Sequence, residues 1–108
     1  MHNTSPFVAM QRVETQLKVL LRPIDVSLLE DTERKAVAGM KRLMVDARLD
    51  IHDYELSETR PEQLENAVAA KNRIFKLQAC VLAAGNVFGP ADVAQLSAQL
   101  EQINGWLV

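Results

Sequence analysis

Apolar residues recur along this chain at alternating spacings of three and four, the period of a helix, and no stretch alternates apolar with polar long enough to make a strand. Pro6, Pro23, Pro61 and Pro90 punctuate the pattern, each where a helix can begin or has just ended. Thr4 or Ser5 caps the first predicted helix, with Pro6 in its first turn, where a missing N–H costs nothing. Its stripe is Met10, Val13, Leu17, Leu20 and Ile24, and Pro23 ends or kinks it near Leu21.

The second helix has two candidate starts. Ser27 and Glu30 have capping-box spacing, Thr32 offers a later cap, and the earlier start is preferred. Leu29, Ala36, Val37, Met40, Leu43, Met44, Ala47, Ile51 and Tyr54 then share one face when successive residues turn by about 100°. At 1.5 Å per residue that helix, 27–57, is about 45 Å long. A turn over Ser57 to Pro61, capped at Thr59, leads into a third helix whose stripe is Ala67, Ala70, Ile74, Leu77, Val81 and Ala84. Leu64, Val68, Phe75 and Leu82 widen that stripe, so the helix is expected to be touched from two sides. Gly85-Asn86 reads as a left-handed stop, and Gly89-Pro90 opens a last helix carrying Val93, Leu96, Leu100, Ile103 and Leu107, with Trp106 anchoring the end.

Short connections force antiparallel neighbours. The predicted fold is therefore all-α, a four-helix antiparallel bundle with a long central helical hairpin, its helices at about 5–21, 27–57, 61–84 and 90–106. At 108 residues, 48% hydrophobic and 24% charged, the chain fits one helical-bundle domain over 1–108 that buries roughly two-thirds of its unfolded surface. Met1 to Ser5 is the segment expected to fray.

Charge and chemistry narrow the picture mainly by exclusion. A net charge of −2 gives no general attraction to phosphate backbones or anionic lipids, so neither nucleic acid nor membrane is an expected partner. No run of about 18 apolar residues lacks a charge and the start MHNTSPF lacks a signal-peptide layout, which predicts a cytoplasmic protein. Cys80 is the single cysteine, so no internal disulfide can form, and its apolar sequence neighbours predict a buried, inert thiol.

The densest polar cluster is Asp46, Asp50, His52, Asp53, Glu55 and Glu58. Di-iron bundles use Glu-x-x-His pairs on two helices, and this chain has none; zinc needs three or four ligands, and His2 sits at the terminus. No metal and no cofactor are therefore expected. Histidine phosphotransfer domains follow their histidine with a lysine and a glycine, whereas His52 precedes Asp53-Tyr54-Glu55-Leu56, whose carboxylates repel a phosphoryl donor. Leu21-Arg22-Pro23-Ile24-Asp25 with Leu28-Leu29 is similar to the first-helix pattern of the small helical chorismate mutases. Pro23 interrupts what is an unbroken helix in that family, and the basic positions that clamp a dicarboxylate do not fall into place. Arg34, Lys35, Lys41, Arg42 and Arg48 are dispersed around the second helix, with acidic residues at i to i+4 spacing, as on an ordinary charged surface.

A feature with no obvious use inside a single chain, unless helix one or four covers it, lies on the back of the second helix. Turned roughly 160° from the core stripe, Ala38, Val45, Leu49 and Leu56 form a second apolar line about 27 Å long. The expected function is that of a small non-enzymatic interaction protein, a regulator, adaptor or chaperone, that pairs with itself through this line and with another protein. The alternatives are a small helical enzyme or metal protein using the Asp46 to Glu58 cluster at a dimer interface, and an immunity-type inhibitor presenting that acidic face to a basic site.

Overall fold

Ser5 starts the first helix as its spacing predicts: in the computed structural model, which describes residues 5–107, its hydroxyl accepts the Val8 N–H at 3.1 Å. The remaining residues expected to fray, Met1 to Thr4, lie outside the described residues, as does His2. Helix α1 spans Pro6–Leu21, and Pro23 breaks the chain there, leaving Arg22 as the cap with its N–H on the Lys18 carbonyl. The long helices α2 (Asp31–Leu56) and α3 (Arg60–Ala83) follow, then a one-turn helix α4 (Gly85–Phe88) and α5 (Pro90–Trp106). The described residues are 87% helical and include no strand, an all-α bundle of four long helices.

Two predicted boundaries are wrong, each for a local reason. Helix α2 starts at Asp31, not Ser27. Asp25 captures Ser27 instead, its Oδ1 accepting the Ser27 N–H at 3.0 Å and the hydroxyl at 2.6 Å, and Val26–Leu28 closes as a 3-10 turn. Those two bonds, the hydroxyl's first, hold the Asp25 carboxyl below its ordinary value. The start then falls to Glu30, whose N–H is met by the Glu33 carboxylate at 3.2 Å, with Asp31 and Glu33 placing negative charge at the helix N-terminus. The 26 residues of α2 make it about 39 Å long rather than about 45 Å.

The second error is at Gly85. It is not left-handed; it opens α4, whose Val87 and Phe88 pack against the core, and the one positive φ among the described residues belongs to Gly89, at φ 94° and ψ 158°, immediately before Pro90. The reversal is delayed by one apolar turn.

Registers between helices follow from pairs of residues. Phe7 meets Glu55 and His52 while Glu14 meets Arg48, so α1 runs antiparallel to α2. Asn66 reaches the Asp53 carbonyl, Arg73 reaches Asp46 and Asp50, and Gly39 lies against Cys80, which fixes the antiparallel α2–α3 hairpin. A Cβ on Gly39 would stand 3.0 Å from the Cys80 Sγ, so this glycine permits a close approach of the two long helices. Helices α1 and α5 pack beside each other on the hairpin, giving a flattened body of 47 × 29 × 17 Å.

The core matches the predicted stripes of α2, α3 and α5 closely: Met40, Ala47, Ile51, Ala70, Ile74, Leu77, Val81, Leu96 and Leu100 are fully buried. In α1 the stripe is rotated. Leu21 and Glu14 are buried with Met10, Val13 and Leu17, while Leu20 and Ile24 are only partly covered. Leu107, fully buried, anchors the last helix more completely than the half-buried Trp106 beside it.

Candidate functional site

The acidic residues predicted as one polar site divide between two sides of α2, because a helix turns them away from one another. Asp46 and Asp50 face α3, where Arg73 bridges them with Nη1 3.5 Å from Asp46 and Nε 3.3 Å from Asp50. The Asp53 carbonyl accepts from the Ser57 hydroxyl at 2.8 Å and the Asn66 amide at 3.3 Å, so this end of the cluster closes the hairpin turn. On the other side, Glu55 accepts the Phe7 N–H at 2.9 Å, satisfying one of the orphan donors at the start of α1 with a negative charge. His52 lies against the Phe7 ring, centroids 5.2 Å apart. Glu58 stands exposed in the turn. Among the described residues no three His, Cys, Asp or Glu side chains come together as metal ligands.

Desolvation raises the Asp50 carboxyl above its ordinary value despite the Arg73 guanidinium, with Asp46 and Asp53 adding repulsion. A carboxyl whose value is higher folded than unfolded contributes stability that is present below its unfolded value, 3.8, and is lost as pH rises through the folded one. Asp50→Asn, which resembles the protonated acid, should therefore gain on the parent protein as pH rises from about 3 to about 6. Urea midpoints at the two ends of that range check this; a gap that shrinks with pH contradicts it.

Burial likewise pushes the Cys80 thiol up, against a weaker pull from Arg42. The thiol is half-buried against Gly39 rather than enclosed, and its chemistry is suppressed by desolvation.

The predicted interaction line on α2 is uneven. Leu49 and Leu56 are 49% and 63% exposed and Ala38 is exposed, but Val45 is partly buried where the end of α1 crosses it. The stronger line is on α3. Leu64, Val68, Phe75 and Leu82, expected to widen the core-facing stripe, are 45%, 60%, 74% and 65% exposed, and no described part of the chain covers them. At 100° per residue they fall within about 40° of one another and roughly 130° from the Ala70–Ile74–Leu77 face. The spacing contains this second face; reading it as breadth instead of as a separate line was the error. Between Phe75, Ala79 and Leu82 and the neighbouring Ser97 of α5 a groove of about 350 Å³ continues it.

Sequence reasoning also passed over Glu14. It is 7% exposed, with Arg48 Nε 2.8 Å and Lys18 Nζ 3.7 Å from its carboxylate. The signal is present in the spacing Met10, Glu14, Leu17, Leu21, which puts a carboxylate directly on the buried face.

No protein-family model matches the chain, and neither a curated protein nor a solved structure matches it. No helix is long and apolar enough to cross a membrane among the described residues.

Proposed function

We propose that this is a small non-enzymatic interaction protein of the regulator, adaptor or chaperone type, cytoplasmic, which pairs with a second copy of itself through the outer side of its long hairpin. The observation that carries this reading is the apolar line Leu64, Val68, Phe75 and Leu82 on α3. It runs for about 27 Å along the helix, and large side chains aligned in this way on one face mark a surface made to be covered. Two copies of α3 packed antiparallel about a two-fold axis set Leu64 of each beside Leu82 of the other and bring Val68 and Phe75 within a turn of each other near the axis. The same arrangement places Lys71 opposite the Phe75 ring of the other copy, a cation over an aromatic face, with its aliphatic stem along the apolar line.

The polar cluster supports this reading less directly, by giving way. Arg73 binds Asp46 and Asp50, and Asp53 and Glu55 serve the hairpin turn and the α1 N-terminus, so these groups have structural uses.

Phe75→Glu and Leu49→Glu, compared by light scattering and circular dichroism, test the reading and locate the face. Only the carboxylate that falls within the symmetric interface, buried there without a partner, dissociates the dimer. Phe75→Glu is expected to give a folded monomer with unchanged helicity, while Leu49→Glu leaves the dimer intact. A parent protein that is monomeric at about 100 µM, or a Phe75→Glu dimer as tight as the parent, overturns the proposal.

A further inference from the structure

A separate groove lies where the end of α1 meets α2, and its lining has one sign of charge. Its floor is apolar, formed by Leu21, Ile24, Met44 and Val45, and its rim carries Lys18, Arg22 and Lys41 in a volume of about 600 Å³. No carboxylate lines it, although the whole chain carries a net charge of −2. Among the described residues, of the three cations only Lys18 has a counter-ion, Glu14 at 3.7 Å, and that carboxylate is held more closely by Arg48 at 2.8 Å. We infer that this groove binds an acidic amphipathic segment of another protein, whose apolar side chains cover Leu21, Ile24, Met44 and Val45 while its carboxylates meet Lys18, Arg22 and Lys41.

Three features select that occupant. The cations stand on both sides of the floor, Lys18 on α1 with Arg22 one turn on at its C-cap and Lys41 across on α2, so they match several carboxylates spread along a chain better than one anionic head. The groove is open to solvent rather than enclosed; small-molecule sites bury most of their ligand, which a surface groove of this kind does not. An apolar floor between the cations also fits alternating anchors and charges of a peptide and offers nothing to a sugar–phosphate backbone. The groove leaves the outer face of α3 free. It supplies the second partner of the interaction protein proposed above without depending on self-association.

The test uses the full chain and a fluorescein-labelled model peptide of about 16 residues with Leu at i, i+4, i+7 and i+11 and Glu flanking them, alongside a control peptide with Lys for every Glu. Amide NMR shifts are expected to move around residues 18–24 and 41–45 with the acidic peptide, saturably and less as salt is added. Arg22→Glu together with Lys41→Glu, both at exposed positions, should weaken binding by about tenfold or more while leaving the thermal melt and the oligomeric state unchanged. Equal binding of the control peptide, shifts confined to α3, no saturable binding, or displacement of the acidic peptide by dodecanoate below its micelle concentration at equal affinity each overturn the inference. Phe75→Glu should bind the peptide as the parent does, so failure of the groove and failure of the α3 interface are read separately.

Discussion

Replacing Ile74 or Leu77 with alanine should each cost about 2 to 4 kcal/mol of folding free energy, on the scale of buried large-to-small substitutions. Both side chains are fully buried at the middle of α3, the helix placed between α2 and α5. Alanine there removes transfer energy and leaves a cavity that a rigid neighbourhood closes poorly. The neighbourhood is rigid because Gly39 and Cys80 already bring α2 and α3 close together, and because α5 brings Leu96 and Leu100, also fully buried. Urea denaturation followed by circular dichroism measures the loss. A cost below about half a kcal/mol at both positions would mean that these residues are not the centre of the core. Phe75→Ala, one residue along from Ile74 but on the exposed face, gives the contrast: as a folded monomer it should lose little, and in a dimer its loss should depend on protein concentration.

That contrast shows what the pattern of residues made legible. Positions that repeat every three or four residues with no polar interruption, such as Ala70, Ile74, Leu77 and Val81, reported their burial because a helix has only one way to hide such a stripe. The cap at Thr59 was legible because only one side chain had the spacing, and at the first helix the choice was narrowed to Thr4 or Ser5, of which Ser5 is the cap. The next cap was misread where two side chains competed: Ser27 had cap spacing, but Asp25 two residues earlier took both of its donors. Periodicity also cannot state which of two apolar faces meets the chain's own core, since that depends on where the other helices land. Four helices surround one interior, and α3, touched by α2 and α5, keeps Leu64 to Leu82 on the side neither reaches. The acidic cluster misled in the opposite way, since density in sequence is not proximity in space once a helix has turned Asp50 and Glu55 to different neighbours.

Arg48→Met should be the most damaging single change among the charged residues. Glu14 sits on the buried face of α1 with its side chain 9% exposed, and two cations come near it: Arg48 Nε at 2.8 Å, its own side chain 29% exposed, and Lys18 at 3.7 Å, 60% exposed. The Arg48 approach is close but not aligned, since its Nε is buried without a hydrogen-bond partner, so the attraction is ionic and the geometry imperfect. Removing the cation leaves a carboxylate out of water with only the distant, mostly solvated Lys18 to answer it. Breaking a fully buried pair this way costs 3 to 5 kcal/mol, and the partial exposure of both cations here brings the expected loss to about 2 to 3 kcal/mol. Removing the acid is not equivalent. Glu14→Leu extends the stripe of Met10, Leu17 and Leu21, and the freed guanidinium, already partly in water, can turn outward, so the expected cost is below about 1 kcal/mol. The double variant Glu14→Leu with Arg48→Met should recover most of what Arg48→Met loses, because it removes the uncompensated charge rather than adding a contact. Denaturant unfolding of the three variants gives the coupling directly. If the double variant loses the sum of the two, Glu14 and Arg48 are not coupled; if Glu14→Leu costs more than Arg48→Met, attraction between them holds α1 to α2 by charge. If the order is as expected, apolar burial holds the two helices together and the ion pair fixes only where along α2 the shorter helix stops.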